Sequence, residues 1–166
     1  MRLIITDVSV LFDLFYLEVL PEFFDLSFEI CVTAFVYNEI VVEEQVVIFE
    51  QFKQQGKLRV LKLLQNELEA VLAFKTFRSL KSLPDKTILW QAKQLNCPIL
   101  TCDEKLRKEA LDHGLEVHGS IWVITELNKQ FLISNQRAID VLNRLKLINV
   151  RLPMNEIDRI IYGLNA

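Results

Sequence analysis

Short apolar runs alternate with segments of helical periodicity along most of the chain. The predicted strands are residues 3–6, 28–32, 58–63, 98–101 and 115–117. Short runs that are apolar throughout are typical of strands covered on both faces of a sheet. Because strands that alternate with helices form βαβ units, the pattern predicts an α/β fold with a mainly parallel sheet.

The predicted helices between these strands have recognisable first and last residues. Ser9 is predicted to start the first helix, and Pro21 to end or kink it. Thr33 is predicted to cap a helix that carries Glu39, and residues 67–80 are predicted to form another helix. Each of these helices would connect two neighbouring parallel strands.

The chain after Gly119 is predicted to be wholly helical, because its apolar residues recur at helical spacing. Residues 1–128 are predicted to form one domain, and 129–166 a helical C-terminal extension packed on it. No internal repeat, low-complexity tract or linker divides the sequence. A length of 166 residues suits one domain with a single core.

Composition excludes several classes of protein. A hydrophobic content of 51% argues against disorder, and charged residues interrupt every apolar run that could otherwise cross a membrane. The N-terminus lacks the basic region of a secretory signal. Cys31, Cys97 and Cys102 have no CxxC spacing, which suits reduced thiols. These features predict a cytoplasmic protein.

Charge is unevenly distributed along the chain. Residues 1–50 carry ten acidic side chains and one basic side chain, whereas residues 51–166 carry 18 basic and 12 acidic ones. Within residues 75–93, five basic side chains accompany a single acid, Asp85. Such a segment could hold a polyanion, or it could be a solvated helix face, and charge alone favours the solvated face.

Four carboxylates lie where this topology would bring them together. Asp7 and Asp103 follow apolar strands, Asp85 opens a predicted helix, and Glu39 lies in one. Ligand sites in open α/β sheets form outside the carboxyl ends of the strands. Clustered carboxylates repel one another unless a cation neutralises them, and Mg²⁺ or Mn²⁺ prefers such oxygen ligands. An ion held there could orient a phosphodiester and lower the pKa of a bound water.

Two of these acids also fit a purely structural role. Ser82-x-x-Asp85 and Thr101-x-x-Glu104 both match capping boxes, and Asp103 precedes Glu104 in the first turn of its helix. For Asp85 or Asp103 considered singly, helix capping is the favoured role.

Of the other two acids, Asp7 has a position that points to a functional site, whereas Glu39 does not. A single glutamate on a helix, such as Glu39, is expected to face solvent. Asp7 ends a short apolar strand and is followed by the hydroxyl of Ser9, so it points to the same sheet edge as Asp103. Asp7 is therefore harder to explain by capping alone.

The order of four short motifs resembles that of the PIN-domain family of nucleases. The motifs are residues 4–11, Tyr37-Asn38-Glu39-Ile40, Leu83-Pro84-Asp85 and residues 99–106, followed by residues 113–119. The similarity spans roughly residues 1–128, and agreement in order and spacing is more specific than any single motif. The resemblance implies a three-layer, Rossmann-like α/β/α fold, a divalent metal and cleavage of RNA.

The resemblance also implies roles for individual residues. The metal ligands and catalytic acids would be Asp7, Glu39, Asp85 and Asp103. Ser9 and Thr101 would supply hydroxyls that support a ligand or a metal-bound water. Lys86, Lys105 and Arg107 are candidate contacts to the RNA backbone. Some family members carry a further acid at position 105, so a second metal would be weaker or absent here.

Many bacterial and archaeal members of the family, the VapC-like ones, are toxins that an antitoxin neutralises near the acidic site. The resemblance therefore implies a toxin, a cognate antitoxin partner and a homodimer. An aromatic zone could belong equally to the core or to such an interface; it comprises Phe12, Phe15, Tyr16, Phe23 and Phe24. The alternative function is a catalytically weak PIN-like module that acts by binding a protein.

Overall fold

The computed structural model describes residues 2–78 and 80–165. Within this part, five strands form one sheet in the order β3-β2-β1-β4-β5. They are β1 (Arg2–Thr6), β2 (Phe28–Thr33), β3 (Leu58–Leu61), β4 (Ile99–Leu100) and β5 (Val117–His118). All four neighbouring pairs are parallel, which confirms the predicted α/β class and parallel sheet.

Helices connect the strands and complete a three-layer α/β/α architecture. Those of the first three crossovers are α1 (Val8–Tyr16), α2 (Leu20–Phe24), α3 (Ala34–Tyr37), α4 (Glu43–Gln54), α5 (Gln65–Ala73) and α6 (Leu83–Leu95). The later ones are α7 (Glu104–Asp112), α8 (Ser120–Lys129), α9 (Asn135–Ile148) and α10 (Met154–Asn165). Helix α6 packs on β1, β2 and β4, the centre of the sheet.

Helices cover the sheet on both faces, as the apolar runs predicted. Successive side chains of a strand point to opposite faces, yet Ile4 and Ile5 of β1 are both buried. Ile99 and Leu100 of β4 are buried in the same way. The central strands therefore have a packed layer on each side, which explains why their sequences do not alternate between apolar and polar residues.

The aromatic zone belongs largely to the core. Phe23 and Phe24 are buried, Phe12 and Phe15 are partly buried against the core, and Tyr16 is 57% exposed. Core packing thus accounts for most of the zone, and the expected dimer or antitoxin surface stays a prediction.

Two predicted helix boundaries near the N-terminus are wrong. Asp7, not Ser9, is the N-cap of α1, and its side chain accepts a hydrogen bond from the Val8 N–H. Pro21 does not end a helix but lies in the first turn of α2. Proline is tolerated there because the first N–H groups of a helix have no intrahelical acceptor.

Two other predicted helices are shorter than expected. Helix α3 ends at Tyr37, so Glu39 lies in the following turn rather than in a helix. Helix α5 ends at Ala73 instead of continuing to residue 80. Beyond α5, the backbone N–H groups of Phe77 and Arg78 donate to the carboxylate of Glu109, each at 2.7 Å, so these two residues are held by a later helix.

The C-terminal helices pack on the rest of the chain. Helix α9 contacts α8 and α1, and Ile157 of α10 is fully buried in the main core. Asn149, which ends α9, donates from Nδ2 to Oδ2 of Asp13 in α1 at 3.0 Å. The division at residue 128 stays a prediction. Within residues 2–78 and 80–165, every helix is too short or too polar to span a lipid bilayer.

Candidate active site

The register of β1 and β4 brings two of the predicted acids to one edge of the sheet. Thr6 pairs with Leu100, and the backbone N–H of Asp7 donates to the Leu100 carbonyl oxygen at 2.8 Å. Asp103 follows β4 on the same edge. The strand order reverses between β1 and β4, and such a switch point opens a crevice at the carboxyl ends of the strands.

Asp7 is buried and held by hydroxyl groups. Its Oδ2 accepts hydrogen bonds from Ser9 Oγ at 2.7 Å and Thr101 Oγ1 at 2.9 Å. The two hydroxyl oxygens in turn accept backbone N–H groups, Ser9 from Cys102 at 3.2 Å and Thr101 from Asp103 at 3.0 Å. Ser9 and Thr101 are therefore placed to support Asp7, and they connect it to the loop that carries Asp103.

Asp103 and Asp85 each lie at the start of a helix. Asp103 is the N-cap of α7, and its Oδ1 accepts the Leu106 N–H at 2.7 Å. The capping box predicted from Thr101 and Glu104 is thus wrong, because Thr101 bonds Asp7 instead. Asp85 lies in the first turn of α6, where the predicted N-cap Ser82 accepts its backbone N–H at 3.4 Å.

A buried pair of hydroxyls positions the helix of Asp85. Thr33 at the end of β2 and Thr87 on α6 share a hydrogen bond of 2.8 Å. Thr33 also caps α3, as predicted, and α3 leads directly into the turn that holds Glu39. This contact therefore connects the elements that carry Asp85 and Glu39. No pattern in the sequence predicts the role of Thr87.

The four acids interact electrostatically across the crevice. Burial raises the pKa of Asp7, and the charge of Asp103 raises it further, against the lowering effect of its hydrogen bonds. Burial and the charge of Asp7 raise the pKa of Glu39. Burial, Asp7 and Asp103 raise the pKa of Asp85 to about 6. A divalent cation would relieve this repulsion, and the carboxylate oxygens are the donors that Mg²⁺ and Mn²⁺ prefer.

The acids are neighbours but do not form a closed set of ligands. Among residues 2–78 and 80–165, no three His, Cys, Asp or Glu side chains converge closely enough to hold a metal ion. Asp7 already directs both carboxylate oxygens to hydrogen-bond donors. Ion binding would thus require the more exposed acids, Glu39 and Asp103, to turn toward Asp7 and Asp85.

The three predicted RNA contacts have different surroundings. Lys86 is partly buried in the first turn of α6, next to Asp85. Lys105 lies on α7, and its side chain and that of Asp103 line the same surface groove. Arg107 donates to the carbonyl oxygens of Thr101 at 3.0 Å and Val117 at 3.4 Å. Its guanidinium joins the ends of β4 and β5, so Arg107 has a structural role that the sequence did not predict.

Asp13 is a buried acid that sequence reasoning did not assign to the site. Its Oδ2 accepts hydrogen bonds from Ser120 Oγ at 2.6 Å and Asn149 Nδ2 at 3.0 Å, and from Cys102 Sγ at 3.5 Å. Cys102 precedes Asp103 in the loop after β4. Asp13 therefore connects this loop to α8, through Ser120, and to the end of α9, through Asn149. The signal was the spacing of Asp13 from Val10, which puts an acid on the buried face of α1.

Asp85→Asn is expected to stabilise the metal-free protein at neutral pH. The pKa of Asp85 is about 6 in the folded state against a reference value of 3.8, so the folded state binds more protons between these values. Its stability therefore falls as the pH rises from about 4 to 6. Asparagine removes this penalty, which we place at about 2 kcal/mol because the side chain is partly exposed.

Urea unfolding in EDTA at about pH 4 and pH 7.5 measures this effect. The gain in the free energy of unfolding should be present at the higher pH and nearly absent at the lower one. Asp140→Asn, at an exposed acid on α9, is the control and should change stability much less. A gain that is equal at both pH values would contradict the electrostatic explanation.

Comparison with protein families supports the resemblance seen in the motifs. A model of the PIN domain matches residues 3–165, which includes the C-terminal helices as well as the sheet. Comparison with curated proteins gave no match. The family match therefore identifies the domain type without naming a substrate.

Proposed function

The chain belongs to the PIN-domain family, and we propose that it is a metal-dependent endoribonuclease acting as the toxin of a prokaryotic toxin–antitoxin pair. PIN domains are generally nucleases. The observation that supports the proposal is that Asp7, Glu39 and Asp103 are close enough to Asp85, at the switch point of the sheet, for their charges to raise its pKa. A cognate antitoxin and a homodimer are part of this proposal.

The proposed site would hold Mg²⁺ or Mn²⁺ between the four acids. When bound, such an ion activates a water and stabilises the charge that develops on phosphate oxygens. Ser9 and Thr101 hold the Asp7 carboxylate in one orientation, which pre-positions its oxygens. Asp103 caps α7 through Oδ1, and the proposal assigns its second carboxylate oxygen to the ion.

Cleavage of a mixed RNA pool with Mn²⁺, with and without EDTA, tests the proposal. We expect fragments only in the presence of Mn²⁺. Fragmentation that continues in EDTA would exclude a metal-dependent mechanism, and an intact pool in Mn²⁺ would exclude the nuclease.

A second candidate is a catalytically weak PIN-like module that acts by binding a protein partner. The incomplete convergence of the acids favours it. Isothermal titration with Mn²⁺ separates the two functions: binding at or below millimolar Mn²⁺ supports the nuclease, and its absence supports the binding module.

A further inference from the structure

A groove of about 1050 Å³ lies along α7, and Asp103 is the candidate acid that lines it. Cys102, the residue before Asp103, lines it as well. Its other walls are β5, the first turn of α8, residues 151–153 of the connection between α9 and α10, and Glu156 in the first turn of α10. The C-terminal helical part of the chain therefore forms one side of a groove that includes Asp103.

The groove carries more basic than acidic side chains. The basic residues that line it are Arg78, Lys105, Arg107, Lys108 and Arg151, and the acidic ones are Asp103, Glu104 and Glu156. Two of the basic groups are ion-paired: Lys108 with Glu104, and Arg78 with Asp112. Arg151 is exposed and forms no ion pair with any residue of 2–78 and 80–165. It is thus available to an anion outside the chain.

The groove also presents stacked aromatic rings. His118 and Trp122 lie parallel, with ring centroids 4.1 Å apart and planes 13° from each other. The edge of His118 is fixed by Glu116, whose Oε1 lies 2.7 Å from Nε2. Flat rings in the same groove as a basic side chain are the combination that binds unpaired nucleobases and their phosphates.

We propose that this groove binds single-stranded RNA on one side of the bond to be cut, with a base stacked on the His118–Trp122 pair and a phosphate held by Arg151. The proposal rests on the proposed function, because Asp103 lines the groove and is one of the four acids that would receive the scissile phosphate. A duplex keeps its bases stacked inside, so it cannot use the ring pair. The rings also favour RNA over an acidic peptide, which would use the charge but not the stacking surface.

Fluorescence anisotropy in EDTA tests binding separately from cleavage. The probe is a fluorescein-labelled, mixed-sequence single strand of about 12 nucleotides, within the site sizes of single-strand binders. We expect His118→Ala and Trp122→Ala each to weaken binding roughly tenfold with an unchanged salt dependence. Arg151→Ala should weaken binding and lower the slope of log affinity against log salt by about 0.7, the contribution of one phosphate contact to a single strand.

The controls are residues of α10 outside the groove. Arg159→Ala removes the same charge as Arg151→Ala, and Tyr162→Ala removes an exposed ring. Both should bind RNA like the wild type. Circular dichroism melts check that each variant is folded. If Trp122→Ala fails to fold, Arg151→Ala and His118→Ala still test the proposal, because Arg151 is exposed and His118 lies on an edge strand.

Three results would overturn the proposal: no binding of RNA by the wild type, equal binding by the groove variants, or equal competition from the same RNA annealed to its complement. Fluorescein-labelled polyglutamate that binds as tightly as RNA, and weakens in the same variants, would reassign the groove to acidic peptides. RNA binding that depends on the groove but no cleavage in Mn²⁺ would refute the proposed nuclease and leave the groove assignment intact.

Discussion

Asp103→Asn should reduce Mn²⁺-dependent RNA cleavage at least about a hundredfold while leaving the fold intact. Loss of a group that only supports a metal ligand already costs about 10–100-fold, so loss of a ligand should cost no less. The fold should survive because Asp103 caps α7 through Oδ1, and asparagine is an equally good N-cap. The initial rate of RNA cleavage and the thermal midpoint in EDTA measure the two parts of this prediction.

The same variant has a readout that does not depend on activity. Mn²⁺ that binds the folded state raises the thermal midpoint, so the wild type should be stabilised by the ion and Asp103→Asn much less. Asp140→Asn changes the charge equally on an exposed part of α9 and should behave like the wild type in both assays. Equal cleavage by Asp103→Asn and the wild type would rule out Asp103 as a metal ligand.

The sequence predicts that Asp7 and Asp103 lie at the same edge of the sheet, because this placement requires only that β1 and β4 are assigned correctly. A parallel strand that is buried on both faces is apolar along its buried residues, and residues 4–5 and 99–100 show this directly. Once the strands are assigned, right-handed crossovers place their carboxyl ends along one edge. The acids that follow β1 and β4 then share that edge, whatever the details of the helices.

The surroundings of Glu39 could not be predicted in this way. The apolar residues from Val36 to Val42 have helical spacing, but Ile40, Val41 and Val42 are β-branched and weaken a helix. Tyr37, the last residue of α3, donates its hydroxyl to Glu50 Oε2 on α4 at 2.7 Å. The turn that exposes Glu39 to the crevice thus depends on poor helix propensity together with a contact from the next helix.

Long-range hydrogen bonds account for two further differences between sequence and structure, at Arg107 and Asp13. Arg107, as a basic residue, is predicted to contact the RNA backbone, but its guanidinium donates to two backbone carbonyl groups. Asp13 interrupts an apolar segment in the sequence, yet three donors from later elements satisfy it. Local periodicity contains no information about such partners, so the buried polar groups were the residues that sequence reasoning missed.

Glu109 is the clearest of these buried groups, and Glu109→Ala should destabilise the protein by about 2–4 kcal/mol. The Glu109 side chain is fully buried on α7. Its two oxygens accept the N–H groups of Phe77 and Arg78, and Oε1 also lies 3.1 Å from His113 Nε2. Alanine would leave these donors without an acceptor, at about 1–3 kcal/mol for each group that water cannot reach.

Glu109→Gln separates the hydrogen bonds from the packing of the side chain. Glutamine keeps one acceptor oxygen but places its NH₂ group opposite a backbone N–H donor. Glu109→Gln should therefore lower the free energy of unfolding, but by less than Glu109→Ala. Glu104→Ala, at the exposed start of the same helix, breaks only a surface ion pair with Lys108 and should cost less than about 1 kcal/mol. Urea unfolding gives the three values on one scale.

Hydrogen exchange in the segment after α5 tests the contact between Glu109 and the amides of Phe77 and Arg78 independently of global stability. If Glu109 holds Phe77 and Arg78 in place, Glu109→Ala should speed hydrogen exchange at these two amides more than at the amides of β1. Phe77 also contacts the ring of His113, with centroids 4.8 Å apart, so the whole segment should loosen together. Unchanged exchange at Phe77 and Arg78 would show that other contacts, and not the buried carboxylate, end α5 at Ala73 and fix the chain beyond it.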